Sequence, residues 1–186
     1  MSDNFYIEIL HQDKNCGARY GYLHTPHGVV ELPRFRPVGT QATVKRISPE
    51  ELTARGSGVV LANTYHLALR PGTKIVKAAG GVQKFRNYKG PRLTDSGGYQ
   101  VFSLTKLRDK ITEEGVRFKD PLSGDTHFFS PESVIGLEED IGADIIRSFD
   151  ECAPYPCTKE YRKNSIDRTI RWAKRCLAAK TRDDQA

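Results

Sequence analysis

Three short stretches put side chains capable of chemistry where strands end. In Thr94-Asp95-Ser96-Gly97-Gly98-Tyr99-Gln100 a carboxylate precedes a glycine pair, an aromatic ring and an amide. The glycines let the backbone turn sharply and bring its N–H groups close to a ligand. Tyr99 can then stack on a planar base while Gln100 hydrogen-bonds its edge. Asp95 fits equally well as the cap of a following helix, the glycines serving only the turn. The second stretch, Phe149-Asp150-Glu151-Cys152-Ala153-Pro154-Tyr155-Pro156, carries another carboxylate, on a loop that two prolines keep from continuing as helix. Asp150 can accept from the N1–H and 2-amino group of a guanine, or it can pin loop amides. Cys152 has no evident general base beside it, which argues against a thiol nucleophile. In the third stretch, Asn63-Thr64-Tyr65-His66-Leu67, His66 is either a general base or a packed residue at a strand-to-helix junction. Neither it nor His11, His24 or His27 pairs at a spacing that marks a metal site.

Positioning these groups requires strands that alternate with helices. Phe5–Leu10 and Ala18–Leu23 read as two short strands; the second leads into the turn Thr25-Pro26-His27-Gly28, and Val29–Leu32 follows. These residues, 1–34, form a small antiparallel β segment ahead of a main domain, 35–186. In that domain Phe35–Gly39, Val59–Ala62, Arg92–Thr94 and Asp144–Phe149 are strand candidates. Ser48-Pro49-Glu50-Glu51 and Ser130-Pro131-Glu132-Ser133 start helices, with a capping serine and proline at the first helical position. Residues 158–180 read as a long amphipathic helix with Ile166, Ile170, Ala173 and Leu177 along its apolar stripe. Alternation of this kind implies a parallel sheet. A β/α barrel and a doubly wound sheet both place ligands at the carboxyl ends of strands, so the pattern leaves both open.

The chain of 186 residues is long enough to bury a core, and no apolar run approaches the roughly 18 residues that span a bilayer. The start Met1-Ser2-Asp3-Asn4-Phe5 lacks the layout of a secretory signal, so a cytoplasmic protein is the expectation. Cys16, Cys152, Cys157 and Cys176 are widely and unevenly spaced, which points to free thiols. The net charge is +6. From Thr158 onward, nine Lys or Arg face four acids, so +5 of it lies in this last stretch. Such a face suits a polyanion such as RNA, or is simply a solvated helix surface.

Several long motifs, in order, give these pieces a family resemblance. They include Pro37-Val38-Gly39-Thr40-Gln41-Ala42-Thr43-Val44-Lys45, Asn63-Thr64-Tyr65-His66-Leu67 and Leu69-Arg70-Pro71-Gly72. They continue through residues 93–104, Ile111-Thr112-Glu113-Glu114-Gly115-Val116 and Phe149-Asp150-Glu151-Cys152. In all of this the chain resembles the tRNA-guanine transglycosylases, or queuine tRNA-ribosyltransferases, nearly end to end. The resemblance implies a (β/α)8 TIM-barrel enzyme, a pentosyltransferase of queuosine biosynthesis. It would exchange guanine for a 7-deazaguanine, preQ1 in bacterial members, at the wobble position of a tRNA anticodon loop. In that family an aspartate attacks the ribose C1′ and the new base captures the covalent RNA intermediate, the logic of a retaining glycosidase. By motif, Asp95 would be the general acid/base. Ser96, Gly97 and Gly98 would form the pocket wall, and Tyr99 would stack on the base. Gln100 and Asp150 would read its edge, with Cys152 lining the pocket.

The sequence also departs from the family pattern. No segment matches the attacking aspartate of the second barrel half, the Gln-Gly-Gly strand, or the zinc site of three cysteines and a histidine. The expectation is therefore about the first half of a barrel, with no cofactor of its own, inactive alone and prone to associate as a homodimer or with a second-half chain. The alternative is a non-catalytic subunit that binds tRNA or base. Arg147 stands where such proteins carry an apolar residue, and a mid-strand arginine needs a partner or a route to water.

Overall fold

The computed structural model describes residues 5–103 and 108–186. Leu104, at the end of the longest motif, and Met1 to Asn4 lie outside the described residues. β1 (Tyr6–Gln12), β2 (Arg19–Thr25) and β3 (Gly28–Leu32) form an antiparallel sheet in that order. Thr25 closes the β2–β3 turn by donating its hydroxyl to the Gly28 carbonyl at 2.8 Å. The sheet has two unlike sides. Leu23, Val30 and Leu32 pack over Val59, Leu61, Leu93 and Ile145, whereas every residue of β1 is exposed.

The main body alternates strand and helix. Residues 37–39 run beside β4 (Val60–Asn63): Gly39 N donates to Leu61 O at 2.7 Å and Leu61 N to Pro37 O at 3.0 Å. β4 pairs in parallel with β5 (Arg92–Asp95), whose other side bridges Ile145. The strands thus neighbour one another in chain order, unlike the doubly wound pattern, in which order reverses at a switch point. Of the strand expected over Asp144–Phe149, only the bridge at Ile145 forms. Its later amides are engaged elsewhere: Arg147 N donates to Glu138 Oε1 at 3.1 Å and Phe149 N to Cys176 Sγ at 3.4 Å.

Short helices connect these strands: α1 (Pro49–Ala54), α2 (Thr64–Leu69), α3 (Thr73–Ala78), α4 (Gly81–Arg86) and α5 (Gly98–Ser103). α1 starts on the expected capping box, with Ser48 and Glu51 satisfying each other's amides. A hairpin that the sequence reading did not anticipate, β6 (Val116–Lys119) with β7 (Thr126–Phe129), then precedes α6 (Pro131–Ile141). β6 alternates buried and exposed, and its Val116 and Phe118 join Tyr65, Phe129, Phe149 and Trp172 in the largest core cluster. In α6, Ser133 rather than an acid completes the capping box with Ser130.

α7 (Lys159–Ala179) forms at the expected place but presents the other face to the protein. Its buried residues are Ser165, Trp172 and Cys176, while Ile166, Ile170 and Leu177 are exposed. The expected stripe is therefore the outer one. The Trp172 ring stacks on Phe149 at 5.0 Å between centroids, and its indole N–H donates to Glu113 O at 2.7 Å. One large aromatic with a satisfied polar tip outweighs three aliphatics in choosing the buried face. Three arginines of the helix pair with acids elsewhere in the fold: Arg168 with the buried Glu151, and Arg171 with Glu113 and Arg175 with Glu132 at the surface. Among the described residues no helix is long and apolar enough to cross a membrane.

Candidate functional site

All eight residues singled out as site residues from the sequence, together with Arg147, line one cavity of about 230 Å³. It opens where β4 and β5 end and where the 149–156 loop passes. Asp95 is the last residue of β5 and sits opposite Asn63, the last of β4. Asn63 performs two tasks: Oδ1 caps α2 by accepting from His66 N at 3.1 Å, and Nδ2 donates to Asp95 Oδ2 at 2.5 Å. Thr64 N donates to Asp95 Oδ1 at 3.2 Å. The carboxylate is thus held by the cap of a neighbouring helix.

Gly97 and Gly98 are required by geometry. Gly97 has φ +74°, and a Cβ there would lie 2.9 Å from Tyr65 Cβ. A Cβ on Gly98 would fall 2.6 Å from Asp150 Oδ1. The chain therefore brings Asp150 against bare backbone, where Ser96 Oγ donates to Asp150 Oδ1 at 3.2 Å and Gly98 N to Ser96 Oγ at 3.3 Å. Behind the loop, Glu151 is buried beneath α7: Tyr161 Oη donates to its Oε1 at 2.7 Å and Arg168 to its Oε2. α7 thereby anchors Asp150 and Cys152 from outside the cavity. Tyr99 is 66 % exposed at the rim, and Gln100 Oε1 is buried without a hydrogen-bond partner among the described residues.

Burial acts on two carboxyls near this strand end. Burial pushes the Asp95 carboxyl above its ordinary value, against the Thr64 and Gly97 amides, Arg147 and Asn63, which favour the charged form. Glu138 of α6 is fully buried and raised well above the usual range, first by desolvation and further by the charge of Asp95. Its Oε2 has no hydrogen-bond partner among the described residues. Sequence reasoning missed Glu138, because nothing in a helical glutamate shows that it points at the end of β5, a strand distant in the chain. Arg147, flagged as an oddity, is exposed at the cavity and acts on both Asp95 and Glu138. It has found the route to water. His66 takes no part in lining the cavity. Among the described residues no three His, Cys, Asp or Glu side chains are grouped as metal ligands.

Comparison with known proteins matches residues 13–186 to the family model described as queuine tRNA-ribosyltransferase. The queuine tRNA-ribosyltransferase of Lysinibacillus sphaericus is 58 % identical over 178 residues, covering 96 % of this chain and 46 % of the relative. That of Symbiobacterium thermophilum is 58 % identical over 178 residues, covering 96 % and 44 %. One from Listeria monocytogenes is 56 % identical over 177 residues, covering 95 % and 46 %. The chain thus spans a little under half the length of these curated relatives.

Proposed function

The chain belongs to the queuine tRNA-ribosyltransferase family, and from that premise we propose that the cavity around Asp95 is the base-handling half of a guanine-exchange site for the tRNA wobble position. The observation that carries this reading is the convergence, on one cavity, of a raised carboxyl, a second carboxylate on bare glycine backbone, and an exposed ring. The target base must leave the anticodon-loop stack to reach such a pocket. Tyr99 would cover its face. Asp150 and Gln100 Oε1 offer acceptors to a guanine N1–H and 2-amino group, and Ser96 holds Asp150 in place. Cys152 completes the wall.

Asp95 is suited to carry the proton. A carboxyl whose pKa is lifted toward the working pH can protonate a departing guanine and recover a proton from the incoming 7-deazaguanine. Exchange with retention also needs a carboxylate to attack C1′. Glu138 is sealed from the cavity and Asp150 faces the base, so we assign that nucleophile to a segment outside these 186 residues. Strands neighbouring in chain order support reading 35–186 as the first half of a (β/α)8 barrel, with 1–34 as its β segment.

Incorporation of labelled guanine into unmodified tRNA tests the reading. The 186-residue chain alone should give no exchange, and turnover by it would overturn the assignment of the nucleophile. Supplied with the second half of a 58 % identical relative, the wild type should exchange, whereas Asp95→Asn should bind tRNA without turnover. Exchange by the variant would remove Asp95 from its role. Binding with no exchange in any combination would leave a tRNA-binding subunit instead.

A further inference from the structure

The β6–β7 hairpin turns one face to the Asp95 cavity wall and the other to water. Inward, Phe118 packs on Tyr65 at 5.4 Å and Phe129 on Phe149 at 6.1 Å between ring centroids. Tyr65 lies against Gly97, and Phe149 precedes Asp150. The hairpin is thus one layer of side chains away from both carboxylate-bearing segments of the cavity. Outward, the register sets Arg117 opposite Phe128 and Lys119 opposite Thr126, and all four residues are exposed.

Strand alternation allots this outer face to polar groups, and Phe128, 47 % exposed, is the exception. A single exposed ring is ordinary surface, but this one is held in place. A Cβ on Gly115 would come within 3.0 Å of the Phe128 ring, so the ring rests on bare backbone with the rest of its surface in water. Neither Arg117 nor Lys119 takes part in an ion pair among the described residues. The acids of the hairpin serve its own turn: Asp120 accepts from Leu122 N at 2.8 Å and Ser123 Oγ at 3.0 Å, and Asp125 from Ser123 Oγ at 2.8 Å. Asp109 flanks Arg117, donating its backbone N–H to Arg117 O at 2.8 Å, and forms no ion pair with it.

Directly opposed Cβ atoms are about 5 Å apart, and Lys119 lies roughly 7 Å beyond Arg117 along the strand. A fixed ring with one cation beside it and another two residues on offers a base a stacking surface and its phosphates two counter-charges. Paired RNA exposes no base face to such a ring, so the fit is to unpaired nucleotides.

We propose that the outer face of the β6–β7 hairpin binds unpaired RNA flanking the nucleotide handled at Asp95, with Phe128 stacking on a base and Arg117 and Lys119 holding phosphates. The identity of the nucleic acid rests on the base-exchange reading of the cavity; the stacking face rests on the hairpin alone.

Fluorescence anisotropy of the 186-residue chain with a labelled, unmodified tRNA anticodon stem–loop, alongside a blunt RNA duplex of the same length, provides the test. Calorimetry with guanine reports on the cavity independently. Phe128→Ala should weaken stem–loop binding by about 5- to 150-fold, the range for one stacked base, and leave duplex and guanine binding unchanged. Phe128→Trp should keep it. Arg117→Gln with Lys119→Gln should reduce the slope of log affinity against log salt by about 1.4, the loss of two phosphate contacts to a single strand. No stem–loop binding by the wild type, unchanged affinity in Phe128→Ala, an equal loss on the duplex, or an unchanged salt slope in the double variant overturns the proposal. So does poly-glutamate competing as well as the stem–loop, which would mark a contact for acidic protein. Stem–loop binding that depends on Phe128, in a chain that does not bind guanine, upholds the hairpin site and overturns the reading of the cavity instead.

Discussion

At the scale of single residues, the distinctive feature is a pair of acids held toward their neutral forms. Glu138 supplies a direct measure of what this costs. Its folded carboxyl is raised well above the ordinary 4.5, so the associated stability is fully present below 4.5 and is lost as pH rises through the folded value. Glu138→Gln keeps an acceptor for Arg147 N and removes the titration. The variant should be more stable than wild type at pH 8, where the buried carboxyl is driven toward its costly charged form. That advantage should shrink toward zero near pH 4. Urea midpoints across this range test it, and an advantage that grows on acidification would contradict the assignment. Gly98→Ala acts on geometry instead. Its Cβ must displace Asp150, at a cost of about 1–3 kcal/mol, and should weaken guanine binding measured by calorimetry. The sequence made this part of the site legible because Asp95 and the glycines are adjacent in the chain. Asn63, Asp150 and Cys152 were placed in stretches of their own, and only the parallel register of β4 and β5 and the path of the loop bring them together. Glu138 was invisible, since its role depends on how α6 is rolled against β5.

At the scale of elements, α7 shows how far periodicity can be trusted. The 3.6-residue repeat correctly marks a helix over Lys159–Ala179, but it cannot choose between two candidate faces. Counting aliphatics favours the Ile166–Leu177 side. Packing favours the side where Trp172 fills space beneath Phe149 and three arginines meet glutamates on other elements. Trp172→Ala should therefore cost about 3–5 kcal/mol, seen as a fall in urea midpoint. Leu177→Ala, at a position 75 % exposed, should change stability by about 0.5 kcal/mol or less. Equal losses from the two would mean the helix is rolled the other way. The paired arginines also reduce the polyanion-binding face inferred from net charge. Arg168, Arg171 and Arg175 are spent on Glu151, Glu113 and Glu132, which leaves Lys159, Arg162, Lys163 and Lys174 as the more available basic groups. The missed hairpin had its own signal, alternating Val116-Arg117-Phe118-Lys119 followed by a Pro-Leu-Ser-Gly turn, which the strand-and-helix rhythm around it obscured.

At the scale of the whole molecule, the alternation of strands and helices was readable from the chain, but the order of the strands and the balance of covered and uncovered apolar surface were not. Ile166, Ile170 and Leu177 on α7, and Ile7, Ile9 and Leu10 on the exposed edge strand β1, all face outward. A contiguous apolar helix face and an unpaired strand edge are both surfaces on which copies of a chain assemble. They make separable demands. Association through α7 depends on side chains and should fail when charges are placed on the stripe; association through β1 uses backbone groups and should survive such charges. The 186-residue chain should sediment above monomer mass at concentrations of tens of micromolar, a range in which weak contacts of this kind become populated. Ile170→Lys with Leu177→Lys should return most of it to monomer without loss of helical signal, because neither side chain belongs to the buried core. Association unchanged by the double variant would shift the assignment to β1, where a proline at Ile9 should then abolish it. A wild-type chain that stays monomeric throughout would show that these exposed aliphatics are tolerated as ordinary surface.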